Sequence, residues 1–203
     1  MDFWNSLITE KSWNILKNLK KEDFRFIIIG GWAVYLWTRQ HKSKDIDIII
    51  PSFNELEKIN KRYYLNKNDN LKKYEIKIDN IDIDIYLPYF SKFTLPFETI
   101  LKDTTKIDSF EVVQPEILLI LKQGAEEDRR ESIKGEKDRI DIMSILCYTG
   151  IDFGKYRGLL KKNKLDRYSK RLKIIISEFK NLKHLNLNAK DYSKIKKELL
   201  NKL

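Results

Sequence analysis

Two short stretches place aspartate where it has least reason to be. Asp45-Ile46-Asp47-Ile48 and Ile81-Asp82-Ile83-Asp84-Ile85 both alternate in the manner of a strand, yet aspartate is among the poorest strand formers. Successive strand side chains point to opposite faces, so Asp45 and Asp47 share one face and isoleucines the other, and Asp82 pairs with Asp84 in the same way. Carboxylates gathered on neighbouring strands repel one another in a low dielectric, and a divalent cation relieves that repulsion. Two such ions about 3.5–4 Å apart activate an attacking oxygen and stabilise a departing one. The plainer alternative is a sheet with one solvent face, aspartates outside and isoleucines inside. What favours chemistry is Gly30-Gly31 at the end of the preceding apolar run. Glycine lets backbone amides approach a phosphate closely, and a helix starting there turns its positive end the same way. A phosphate cradle followed by paired strand carboxylates equips a chain for metal-assisted phosphoryl chemistry.

The surrounding pattern supplies elements to hold these groups. Phe3, Leu7, Ile8, Ile15, Leu16 and Leu19 predict an amphipathic helix over 3–19. The run 24–29 reads as a buried strand, 32–39 as a short helix, and 44–50 as a second strand closed by Pro51. Ser52 with Glu55 three residues on has the form of a capping box for a helix to about Arg62. Runs 74–78 and 81–87 flank Asp79-Asn80, a hairpin signal, and a short helix near 96–101 and a strand at 110–113 follow. From Pro115 the pattern becomes helical: 116–130, a break at Gly135, 136–148, 153–162, 166–180 with Tyr168, Leu172, Ile175, Ile176 and Phe179 on one stripe, and 189–203. The fold class expected is therefore α+β, a small mixed sheet with helices followed by a helical bundle. The boundary falls between 1–113 and 114–203.

Ile29-Gly30-Gly31, a gap of thirteen residues and then Asp45-Ile46-Asp47-Ile48 resembles the signature of the nucleotidyltransferase superfamily with the DNA polymerase β-like fold. The family's third carboxylate, between hydrophobic residues on a later strand, is matched by both Asp82 and Asp84, with Asp84 preferred because it lies deeper in its strand. The stretch from Gly30 to Ile48 is similar to that of aminoglycoside nucleotidyltransferases. Lys122 on the first helix after the sheet, Arg129, and Lys137-Asp138-Arg139-Ile140-Asp141 resemble abortive-infection nucleotidyltransferase toxins. The resemblance implies transfer of a nucleoside monophosphate from an NTP to an acceptor hydroxyl on a protein, a tRNA or a small molecule. It implies Mg²⁺ or Mn²⁺ on Asp45, Asp47 and Asp84, the triphosphate on Gly30, Gly31 and Lys122, and Asp138 or Asp141 either behind the site or activating the acceptor. For Asp138 and Asp141 the residues themselves also admit an ion pair with Arg129, Arg130 or Lys137. His41 as proton carrier and Tyr86, Tyr89 or Phe90 as base-stacking groups are weaker candidates, since a lone loop histidine and rim aromatics more often pack or face solvent. Trp32 and Trp37 read as packing residues.

Composition bounds these readings. At 203 residues, 42% hydrophobic and 34% charged, the chain has the balance of a folded globular protein. No run approaches the roughly 18 apolar residues a spanning helix needs. An acid at position 2, with lysines after the apolar residues, reverses a secretory signal. Cys147 has no second cysteine to pair with, and a cytoplasmic location without membrane attachment is expected. The net charge of +10 is concentrated in residues 151–203, which hold 16 Lys and Arg against 5 Asp and Glu. Such a segment is either a solvated helix face or a surface for phosphate-rich partners. The alternatives to an enzyme are thus a weakly catalytic module of the same fold that binds nucleic acid or a partner, or the toxin of a toxin–antitoxin pair with an antitoxin as partner.

Overall fold

A computed structural model describes residues 6–203; Phe3, counted above in the first helix, lies outside the described residues. The chain divides into two compact units, Met1–Gln114 and Pro115–Leu203.

Among the described residues the first unit holds a sheet of seven strands: β1 Ile27–Ile28, β2 Ile46–Ile49, β3 Asn66–Asn68, β4 Lys73–Ile78, β5 Ile81–Tyr86, β6 Thr104–Ile107 and β7 Phe110–Val113, in the order β3-β4-β5-β2-β1-β7-β6. β2 runs parallel to β5 and β1 to β7, and the other neighbours are antiparallel. Helices α1 Ser6–Leu19, α2 Gly30–Thr38, α3 Phe53–Asn60 and α4 Phe97–Lys102 complete the unit. Ile46, Ile48, Ile83 and Ile85 are buried to 1% exposure or less. A one-residue slip of either strand would turn them outward, at about 1.5–3 kcal/mol per isoleucine. The isoleucines therefore pin the register, and the aspartates take the other face as a consequence.

Several local expectations change. The strand expected over 24–29 pairs in β1 only at Ile27–Ile28, and the helix expected from 32 already begins at Gly30. β3 and β6 carry no apolar alternation strong enough to announce them: β3 reads Asn-Lys-Asn. Ser52 is the N-cap of α3 but makes no side-chain cap bond. Glu55 instead accepts a hydrogen bond from the Arg25 backbone N–H at 2.8 Å and pairs with Lys58. A long-range partner has replaced the local one.

The second unit contains α5 Pro115–Asp128, α6 Ile133–Tyr148, α7 Phe153–Lys162, α8 Arg167–Glu178, a 3-10 turn Leu182–Leu185 and α9 Ala189–Lys202. Its core includes Ile117, Leu118, Ile140, Met143, Leu172 and Ile176. Gly135 lies inside α6 rather than breaking a helix. The break comes before Ser132, which caps α6 by accepting from the Gly135 N–H at 3.1 Å. A Cβ at position 135 would stand 2.3 Å from the Arg129 carbonyl oxygen, so the glycine permits the close return of the preceding turn. Among the described residues, no helix is long and apolar enough to cross a membrane.

Candidate active site

The centre of the first unit's sheet brings two of the candidate carboxylates directly together. β2 and β5 are parallel neighbours in a register that sets Asp47 opposite Asp84. Asp45, expected inside the strand, lies in the bend just before β2, two residues from Asp47. The Gly30 turn is tied to this strand, since the Ile29 N–H donates to the Asp47 carbonyl at 3.1 Å. Gly30 has φ +63°, and a Cβ there would fall 2.1 Å from Asp47 Oδ2. Glycine is thus required both by the left-handed backbone and by the carboxylate resting against its Cα. Gly31 is buried in the first turn of α2, whose opening amides have no intrahelical carbonyl to bond. Negative charge is favourable at that end of the helix.

The electrostatics are those of a crowded anionic site. Burial, followed by repulsion from Asp47, pushes the Asp84 carboxyl up to about 6 against the opposing pull of Lys73. Lys73 Nζ lies 2.6 Å from Asp84 Oδ2 and 2.9 Å from Glu75 Oε1. Burial would depress the Lys73 ammonium, but its bonds to Asp84 and Glu75 prevail and raise it. Asp45 Oδ1 is buried with no hydrogen-bond partner. Asp82, by contrast, is 49% exposed and pairs with Lys77 at 3.4 Å. The geometry therefore separates the two residues that the sequence left as alternatives: Asp84 faces Asp47, whereas Asp82 is engaged at the surface.

Hard carboxylate oxygens, one of them buried without a partner, suit a divalent cation such as Mg²⁺ or Mn²⁺. The residues fit the ion in donor chemistry. They do not form a closed cage: among the described residues, no three His, Cys, Asp or Glu side chains stand together as a ready metal cluster. What the fold presents is the Asp47–Asp84 pair, with Asp45 two residues before it in the chain and Lys73 on the flank of Asp84. Lys73 and Glu75 were not picked out from the sequence. The signal was available in the hairpin, because a two-residue turn at Asp79-Asn80 fixes Ile78 opposite Ile81 and hence Glu75 opposite Asp84.

The helical candidates form a different group, inside the second unit. Lys122 Nζ is 2.6 Å from Asp141 Oδ2 and 3.3 Å from Asp138 Oδ1. Arg129 makes two bonds to Asp138, at 2.6 and 2.9 Å. Burial would raise the Asp138 carboxyl, but Lys122 and Arg129 outweigh it and hold it below the usual range. Asp138 is thus an ion-pair partner of Arg129 and Lys122. Arg130 instead approaches Glu126, at 3.8 Å.

The remaining candidates are placed plainly. Trp32 is buried, stacks on Trp13 and donates to Ser12 Oγ at 3.0 Å; Trp37 donates to the Val113 carbonyl. Tyr86 packs on Phe93 and Phe90 on Tyr74, while Tyr89 is 99% exposed. His41 is half-buried in the loop before β2. Burial pushes the Cys147 thiol up to about 12, which removes it as a nucleophile at neutral pH.

No protein-family model matches the chain, and no curated protein matches it in sequence. Solved structures do. The structure of ANT(2")-Ia in complex with adenylyl-2"-tobramycin is similar with a TM-score of 0.52 at 17% identity, covering 80% of this chain and 99% of that one. An antigenic nucleotidyltransferase-like protein from Paracoccidioides brasiliensis is similar with a TM-score of 0.43 at 15% identity, covering 84% of this chain and 94% of its own. The likeness to the first shows a shared fold, and the seven-stranded mixed sheet with its helices agrees with it.

Proposed function

From the premise that this chain carries the nucleotidyltransferase fold, we propose that it transfers a nucleoside monophosphate from an NTP to an acceptor hydroxyl, with Asp45, Asp47 and Asp84 holding Mg²⁺ or Mn²⁺. The observation that carries this reading is the register pairing of Asp47 with Asp84 beside the Gly30 turn. When bound, the ion supplies positive charge to the phosphoryl oxygens as bonds change.

The chain's own residues have separate tasks. The opening amides of α2 at Gly30 and Gly31 receive triphosphate oxygens, and the helix turns its positive end toward them. The acceptor oxygen attacks the α-phosphorus, the bond from the α-phosphorus to the bridging oxygen breaks, and pyrophosphate departs with the electron pair. Asp84 or a neighbouring carboxylate accepts the acceptor's proton. Lys122 as a triphosphate contact rests on the sequence resemblance alone; its surroundings support an internal ion pair.

The acceptor is a protein side chain, a tRNA end or a small molecule. A second reading, a module of this fold that binds nucleic acid or a partner and turns over little, is favoured by the basic excess of residues 151–203. The toxin half of a toxin–antitoxin pair is a biological setting for either. Incubation with α-labelled NTPs, Mg²⁺ and each acceptor class separates them. Label transfer that disappears in Asp47→Asn supports the enzyme, whereas salt-sensitive RNA binding indifferent to Asp47→Asn, without transfer, supports the module.

A further inference from the structure

Lys73 is not part of the transfer scheme above, yet it touches its most constrained group. It stands on β4, next to β5, with its side chain only 12% exposed and its ammonium shared between Asp84 at 2.6 Å and Glu75 at 2.9 Å. Glu75 lies opposite Asp84 in the antiparallel register and is itself steadied by Asn68 Nδ2 at 3.1 Å and Asn66 Nδ2 at 3.5 Å on β3. The lysine therefore has two carboxylates within reach. One of them faces Asp47 and the other is held by an edge strand.

We propose that Lys73 competes with a divalent cation for Asp84, and that Glu75 is the carboxylate on which the ammonium settles when Asp84 is given up. Asp84 cannot serve a close ammonium and a divalent ion with the same oxygen, because the two like charges repel at that distance. The Glu75 contact already exists, so a small side-chain swing releases Asp84 without stranding a charge in a half-buried place. In this arrangement Lys73 keeps the Asp47–Asp84 pair tolerable and sets a threshold for cation binding. The inference rests on the carboxylates being a cation site, and its test keeps the two apart.

Mn²⁺ is titrated into the full chain while the electron paramagnetic resonance signal of the free ion is followed, with thermal unfolding alongside. Lys73→Gln binds Mn²⁺ about tenfold tighter than wild type, and its lowered melting temperature recovers on adding Mn²⁺. Lys73→Arg, which keeps the charge, binds like wild type. Glu75→Gln binds more weakly, because the ammonium then has only Asp84. Should Lys73→Gln fail to fold, Glu75→Gln decides: weaker binding supports the competition, and equal or tighter binding overturns it. Wild-type binding that needs Asp47 but is unchanged in Lys73→Gln overturns the competition and leaves the cation site standing. No Mn²⁺ bound by wild type or Lys73→Gln overturns both.

Discussion

The strand site around Asp47 and the helical cluster around Asp138 both bury aspartates beside a lysine, and the contrast between them separates a place built to bind from a place built to hold. In the helical cluster two aspartates meet two cations: Lys122 bridges Asp138 and Asp141, and Arg129 clasps Asp138. Asp138 is correspondingly held below the usual carboxylate range. At the strand site Lys73 is divided between Asp84 and Glu75, Asp84 faces Asp47, and its carboxyl is pushed up to about 6. Buried charge left uncompensated is unfavourable for folding alone, so a fold that retains it is poised to take up a cation.

Substitutions in the two places are expected to diverge. The largest effect is on chemistry. Asp47→Asn lowers metal-dependent nucleotide transfer by about 10³-fold or more, equivalent to roughly 4 kcal/mol of transition-state stabilisation, measured with α-labelled NTPs. Its melting temperature stays level or rises, since one repelling charge has gone. Asp138→Asn acts in the opposite sense. It takes the partner from Arg129, which is 41% exposed, and one of two partners from buried Lys122, which keeps Asp141, and costs about 1.5–3 kcal/mol of stability by denaturant unfolding. A variant of Asp138 as stable as wild type would erase the contrast.

Acidity gives the next effect. The Asp84 carboxyl is raised when folded, so its favourable contribution is present in full below the unfolded value near 3.8 and is lost as pH rises through about 6. Without divalent ion, stability should fall by about 3 kcal/mol between pH 4 and pH 7, and Asp84→Asn should remove that slope. Asp138 works with the other sign: its pKa is depressed, so its contribution is present above the unfolded value and is lost as pH falls through the lower folded value. Smallest is Asp82→Asn. This residue is half exposed and engaged with Lys77, so transfer should change by less than about fivefold, since a surface pair is worth about 1 kcal/mol at most.

How much of this was legible in the sequence depends on whether the determinant was local. Strand alternation in Ile81–Ile85 carries its own geometry, so the shared face of Asp82 and Asp84 could be read directly, whereas the Gly-Gly turn could be read as a turn but not the pressure of Asp47 on Gly30. Distances across strands are not local. That Asp47 rather than Asp45 meets Asp84 follows from a register set by isoleucines on the far face. Lys73 and Glu75 are ordinary strand-face charges until the hairpin sets them beside Asp84. Glu55 satisfied the spacing of a capping box and was taken instead by Arg25, thirty residues away in sequence. Gly135, a break by composition, proved to be a contact requirement of the preceding turn.

The most direct measurement is a crystal soaked with Mn²⁺ and a non-hydrolysable ATP analogue, examined for anomalous scattering. A Mn²⁺ peak is expected at the Asp47 and Asp84 carboxylates, with the triphosphate at the Gly30 end of α2 and Lys73 turned to Glu75. A bound nucleotide with no peak there, and Lys73 still on Asp84, would contradict it.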